Sequence, residues 1–136
     1  MNPSPVWHPE RLAARLPFLR RRAELASATR AFFATRGYQE VETPCAVPAP
    51  GEEVHLDAFA TERRFPDGST RALWLHTSPE FAMKKLLAGG AGPIFQFARV
   101  WRNGEAGPTH APEFTMLEWY RPGASMDDLI AETGDL

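Results

Sequence analysis

The chain has 136 residues, with 15 basic and 17 acidic side chains and a formal net charge of −2. That length fits one domain with a moderate core, and 43% hydrophobic residues with four tryptophans exclude a disordered chain. The near-neutral balance offers no basic sheath for nucleic acid, no apolar run approaches the ~20 residues of a membrane span, and the start lacks a signal-peptide core.

Residues 1–17 hold four prolines and one short helical stretch. From Phe18 to Thr35 the pattern is helical. Phe18, Leu25, Ala28 and Phe32 form an apolar stripe, which Leu19, Ala26 and Phe33 widen. Arg20, Glu24 and Ser27 make the wet side, and Gly37 fits the C-terminal stop. The arginines of this helix read as a solvated face rather than an RNA surface. Gln39–Thr43 reads as a strand and residues 44–53 as a Pro/Gly loop. The single cysteine, Cys45, excludes an internal disulfide and suits a reducing cytoplasm. It follows Pro44 and is expected as a small packed residue. No His/Cys cluster surrounds it, so no metal site is expected. Val54–Thr61 and Arg71–His76 alternate as strands around a turn at Pro66-Asp-Gly-Ser69. His55 and His76 fall on these strands and are expected as core or surface histidines. Pro79 opens a short helix, Glu80–Ala88, ended by Gly89-Gly90. Ser125-Met-Asp-Asp128 resembles a capping box opening a last helix. The whole is an α+β pattern: an antiparallel sheet flanked by helices.

The densest chemistry lies in a hairpin, Ile94–Arg102 and Glu113–Arg121, joined by a polar, glycine-containing loop. Side chains in a strand alternate faces, so Phe114, Met116, Glu118 and Tyr120 share one face. At about 3.3 Å per residue, Phe114 and Glu118 lie roughly 13 Å apart, the reach of a nucleotide beside a small cationic metabolite. Arg102 presents a planar fork suited to phosphate, and His110 can fold over the same phosphates from the loop. Phe114 offers a flat face to a base, Glu118 a carboxylate to an ammonium, and Tyr120 a directional hydrogen bond. Taken singly, each residue fits an amphipathic hairpin with solvated charges; their shared face favours a site. Trp101 and Trp119 fall on the opposite face and are expected to pack the sheet.

Two upstream segments complete the pattern. They are Arg36-Gly-Tyr-Gln-Glu-Val-Glu-Thr-Pro44 and Thr77-Ser-Pro-Glu80 with the following Phe81-Ala-Met-Lys-Lys-Leu-Leu87. Together with Arg102 and the run from His110 to Tyr120, they resemble the class II aminoacyl-tRNA synthetases in their lysyl form. The first segment is similar to motif 1, the hairpin to motif 2, and Thr77–Leu87 to the lysine-pocket segment. Gly92-Pro-Ile-Phe-Gln-Phe97 and Met116-Leu-Glu-Trp-Tyr-Arg121 are most similar to the paralogues that attach β-lysine to elongation factor P.

The resemblance implies the N-terminal part of a class II synthetase catalytic domain over residues 1–136, with motifs 1 and 2 present and motif 3 absent. It implies a cytoplasmic ligase using ATP and Mg2+, which activates lysine or β-lysine as an adenylate and passes it to a lysine side chain of elongation factor P. Arg102 is then the catalytic residue; Arg102, Glu105, His110 and Phe114 bind ATP; Glu80, Glu118 and Tyr120 bind lysine. Glu80 also suits a purely structural place at a helix N-terminus, where the dipole favours a carboxylate. About 17 residues precede the motif 1 helix, too few for an OB-fold, so tRNA is not the expected acceptor. A homodimer through motif 1 is expected. The alternatives are a piece of a lysyl-tRNA synthetase or an inactive truncated dimerisation or binding module. Gly104 stands where motif 2 commonly has Glu, with Glu105 one residue late, and Ala111 stands where Asn commonly follows the histidine.

Overall fold

The computed structural model describes residue 5 and residues 7–51, 53–105 and 107–136. The first four residues of the Pro-rich start, position 6, Glu52 of the Pro/Gly loop and Ala106 of the hairpin loop lie outside that set. The chain divides into two compact units, Met1–Gly37 with Met126–Leu136, and Tyr38–Ser125.

The first unit is helical. α1 runs Pro9–Thr35, half as long again as the sequence pattern predicts. Pro9 sits in the first turn, where its missing N–H would be unpaired anyway and its fixed φ suits a helix. Pro17 lies inside α1 and removes one backbone bond. That stretch is exposed, which leaves the freed carbonyl open to solvent. The expected stripe is also displaced. Phe18 and Leu25 are 76% and 54% exposed, whereas Phe33 is fully buried. The inward line is Ala26, Thr29 and Phe33, at spacings of three and four, with the first two half-buried. Gly37 ends α1 as expected, with φ at +79° and its N–H bonded to the Ala34 carbonyl at 3.2 Å. Arg36 stacks its guanidinium 3.6 Å over Phe32 and pairs with Asp135 at 3.3 Å. Asp135 closes α3, Met126–Asp135, which begins directly after Ser125 as the capping pattern predicts.

The second unit holds two three-stranded sheets with one helix. In one sheet the order is β1 (Gln39–Glu40), β5 (Ile94–Trp101), β6 (Glu113–Tyr120). β5 and β6 are antiparallel, as expected of the hairpin, but β1 joins β5 in parallel, so the sheet is mixed. β1 is shorter than the expected strand over 39–43. The chain nevertheless stays beside β5, through Val41 N–H to the Phe95 carbonyl at 2.9 Å and Thr43 Oγ1 to Gln96 Oε1 at 3.0 Å. The second sheet is antiparallel in the order β2 (Ala46–Val47), β4 (Thr70–Leu75), β3 (Ala60–Arg64).

The turn at Phe65–Ser69 fixes the β3–β4 register. Asp67 Oδ1 accepts the Ser69 N–H and hydroxyl at 2.9 and 2.7 Å, which lowers its pKa. Gly68 takes the positive φ of the turn at +85°. The expected strand over 54–61 is mostly irregular: Val54 and His55 form a turn, Asp57 makes an isolated bridge to Asn103, and only Ala60 and Thr61 join β3. Cys45 is exposed and not packed, since it lies in the connection between β1 and β2. α2, Glu80–Ala88, matches the predicted span.

β5 is the central strand and is covered on both faces, with Ile94, Phe95, Ala98 and Val100 all at 2% exposure or less. Met83 of α2 is fully buried and Tyr38 nearly so. His76 is also buried, with Nε2 donating to the Arg99 carbonyl at 2.7 Å, in agreement with the core-histidine expectation. Truncating a fully enclosed β5 side chain removes transfer energy and leaves a cavity. Ile94→Ala is expected to cost about 2–5 kcal/mol by urea denaturation. Arg99→Ala, exposed on the same strand, is expected to cost less than about 0.5 kcal/mol.

Candidate functional site

The β5–β6 register pairs Ile94 with Tyr120, Gln96 with Glu118, Ala98 with Met116 and Val100 with Phe114. Opposed residues of an antiparallel pair point to the same side. One face of the hairpin therefore carries Phe114, Met116, Glu118 and Tyr120. Polar, charged and aromatic side chains gather at both ends of that face.

At the loop end, Arg102, Glu105, Thr109, His110, Ala111 and Phe114 line a cavity of about 390 Å³. All four residues singled out for a nucleotide stand around it. The Arg102 guanidinium carbon lies 5.2 Å from the Phe114 ring centroid, a cation–π contact that fixes the fork against the ring. Arg102 Nε is buried and has no hydrogen-bond partner among the described residues. A buried donor without an acceptor is costly, and an anionic oxygen is the acceptor that would satisfy it best. The loop is held by paired Gly107–His110 backbone bonds of 3.3 Å and by Thr109 Oγ1 against His110 Nδ1 at 3.1 Å. Glu105 and His110 also face a neighbouring polar hollow of about 470 Å³ shared with His55, Asp57, Asn103, Gly104 and Gly107. Among the described residues no group of three or more His, Cys, Asp or Glu side chains could hold a metal ion.

At the other end, Glu118 is clamped. Its Oε1 accepts the Tyr120 hydroxyl at 2.5 Å and its Oε2 accepts the Ser78 hydroxyl at 3.0 Å. Ser78 Oγ in turn accepts the Glu80 backbone N–H at 3.0 Å, at the start of α2. Burial raises the Tyr120 pKa well above the ordinary phenol value. The hydrogen bond to Glu118 adds to this, as do the negative charges of Glu118 and Glu80. The Glu80 carboxylate forms an ion pair with Lys84 one turn along α2. Sequence reasoning missed this second partner and missed Ser78. The i, i+4 spacing of Glu80 and Lys84 was the available signal for the former. Ser78 lies in the segment that resembles the lysine pocket, but nothing in the sequence pairs it with a carboxylate forty residues away.

The family model for class II tRNA synthetases (D, K and N) matches residues 11–136. The chain belongs to that family. It is 50% identical over 131 residues to the elongation factor P–(R)-β-lysine ligase of Haemophilus influenzae strain PittGG, covering 96% of this chain and 40% of the relative. It is 52% identical over 117 residues to the protein of the same name from strain KW20/Rd, covering 85% of this chain and 36% of the relative. The chain therefore spans about two fifths of the length of the curated relatives it matches. Ligases of this class use ATP and Mg2+ in general.

The family frame also gives Gly104 a physical reading. Its φ is +78°, a conformation that side-chain-bearing residues rarely adopt, and Asn103 Oδ1 accepts its N–H at 3.0 Å. The tight turn that delivers Glu105 to both hollows needs glycine at this position. Restoring the common glutamate with Gly104→Glu is expected to cost about 1–2 kcal/mol of stability, read from the urea midpoint.

The raised Tyr120 pKa has a defined pH signature. A phenol with a raised folded pKa contributes stability that is complete below its unfolded pKa of about 10 and is lost as pH rises beyond it. Tyr120 is expected to stay neutral in the folded chain at about pH 10, so Tyr120→Phe leaves the phenolate absorbance there unchanged. A step at that pH that disappears in the variant would contradict this account of the clamp.

Proposed function

We propose that this chain forms part of a ligase that activates lysine or β-lysine with ATP as an adenylate and transfers it to a lysine side chain of elongation factor P. The observation that carries the reading is the two-ended hairpin face, with a cationic, aromatic cavity at Arg102 and Phe114 and a clamped carboxylate at Glu118. The names of the two relatives supply the acceptor.

The chemistry follows from the side chains. Glu118 and Glu80 together offer two carboxylates to a substrate with two ammonium groups, each of which needs a partner once desolvated. The Glu80–Lys84 pair is half exposed and therefore weak, so a substrate ammonium can take the place of Lys84. At the other end, the substrate carboxylate attacks the α-phosphate and pyrophosphate leaves. Arg102 neutralises the charge that grows on that phosphate, an effect of positioning and electrostatics. His110 reaches the same phosphates from the loop, Phe114 packs on the base, and Glu105 lies where it can accept from the base amino group. Mg2+ held by the nucleotide's own phosphates would supply further neutralisation of their charge.

Further parts of the reading concern assembly and setting. Phe18, Leu19 and Leu25 lie exposed on α1 and would be covered by a second copy in a symmetric dimer. The near-neutral charge favours a protein acceptor over tRNA. A cytoplasmic setting suits the lone free thiol, and no described helix is long and apolar enough to cross a membrane.

The test uses the chain alone and the chain continued past Leu136 with the remainder of the strain PittGG relative. The continued form is expected to catalyse lysine-dependent ATP–pyrophosphate exchange and the 136-residue chain to do so weakly or not at all. In the continued form, Arg102→Ala is expected to lower the exchange rate about a hundredfold and Phe114→Tyr only a few-fold. Comparable small losses from both would remove the roles assigned to them, and equal turnover by the two lengths would show that this part suffices.

A further inference from the structure

We infer that Ser78 is the positioning residue that makes Glu118 selective for an ammonium-bearing ligand. The inference rests on the reading of Glu118 as the ammonium-binding group and adds how that group is held.

Three hydrogen bonds with forced directions carry it. An ionised carboxylate can only accept and a backbone N–H can only donate. The single Ser78 proton therefore goes to Glu118 Oε2, at 3.0 Å, and a Ser78 lone pair takes the Glu80 N–H, at 3.0 Å. Tyr120 gives its proton to the other oxygen, Oε1. Glu118 is thus gripped at both oxygens by donors from two places in the fold, the segment before α2 and its own strand. A grip on one oxygen leaves the carboxylate plane free to rotate about the last bond of the side chain, and a grip on both does not. Of the roughly four lone-pair positions of a carboxylate, two are taken and about two remain for a three-donor ammonium.

Ser78 itself has little freedom. Its neighbours Thr77 and Pro79 are buried, the Thr77 hydroxyl bonds the Pro50 carbonyl at 3.3 Å, and a residue before proline is held away from helical geometry. The hydroxyl is therefore aimed by backbone that does not move with the ligand. Such support fixes a binding group before the ligand arrives, so the ligand does not have to order it. With Glu118 taken as the partner of the side-chain ammonium, norleucine, which keeps the α-ammonium but lacks that group, makes no use of Glu118 and is indifferent to its aim.

Ser78 also bonds the first turn of α2, so a merely structural role has to be told apart. The experiment is calorimetric titration of the continued form with lysine and with norleucine. Ser78→Ala is expected to weaken lysine about tenfold while leaving norleucine within about twofold, and Ser78→Thr, which keeps the hydroxyl, to restore lysine. On a Glu118→Gln background, Ser78→Ala is expected to add less than about twofold, because its effect runs through that carboxylate. Should Ser78→Ala not fold, Ser78→Cys keeps the volume with a weaker donor and is expected to show a smaller loss of the same pattern. Equal weakening of both ligands, or additive effects of the two substitutions, overturns the inference. So does a Ser78→Ala protein that keeps its lysine preference when Glu118→Gln has lost it, and that result leaves the diamine reading intact. A starting protein that binds lysine and norleucine alike overturns the diamine reading and this inference with it.

Discussion

The unbroken antiparallel register between β5 and β6 is the constraint on which the rest of the second unit depends. Eight successive residue pairs run from Ile94–Tyr120 to Trp101–Glu113 without a bulge. A slip of one residue would turn Phe114, Glu118 and Tyr120 to the opposite face and bring Trp119 and Leu117 in their place. The slip is prevented by burial. β5 has neighbours along both edges, and Ile94, Ala98 and Val100 are buried on one of its faces, so a slip that turned them outward would expose them. The apolar side chains of β5 thus set the aim of the polar side chains of β6.

That division of labour explains why one strand carries so much chemistry. β5 is committed to packing and β6 lies at the sheet edge, half-buried along most of its length. Half-burial is what a binding group needs: enough exclusion of water to strengthen its contacts and enough access to meet a ligand. Arg102 follows immediately after β5 and keeps a buried, unsatisfied Nε beside Phe114. Glu118 sits near the far end of β6 with both oxygens engaged. The two ends differ in kind. One has a donor waiting for an acceptor, and the other has an acceptor already shaped by donors.

Much of this was legible in the sequence, for reasons tied to particular elements. α2 was read to its last residue because Pro79 opens it and Gly89-Gly90 closes it, and both signals are local. The hairpin was read because alternation is strict there and its loop is rich in turn residues. α1 was read short, because prolines at 9 and 17 look like breaks, yet Pro9 sits in the first turn where no bond is lost and Pro17 lies on an exposed stretch of the helix. The strand over 54–61 failed because alternation without a partner strand does not pair; only β4 and the Asp67 turn decide which residues join β3. That Arg102, His110 and Phe114 line one cavity was legible because they lie within one hairpin, and Glu105 joined them through the family resemblance. Ser78 and the Lys84 partner of Glu80 were not legible, since a hydroxyl or an ammonium declares its contact only once the fold has chosen its neighbours.

The central claim is that the two ends of one hairpin face bind two different ligands. Backbone resonances of the isotope-labelled continued form, followed by NMR during separate titrations with ATP and with lysine, test it most directly. The account predicts that ATP shifts Arg102, Glu105, His110 and Phe114, and that lysine shifts Ser78, Glu80, Glu118 and Tyr120, with little overlap between the two sets. Shifts at the same end for both ligands, or lysine shifts confined to residues away from Glu118, would contradict it.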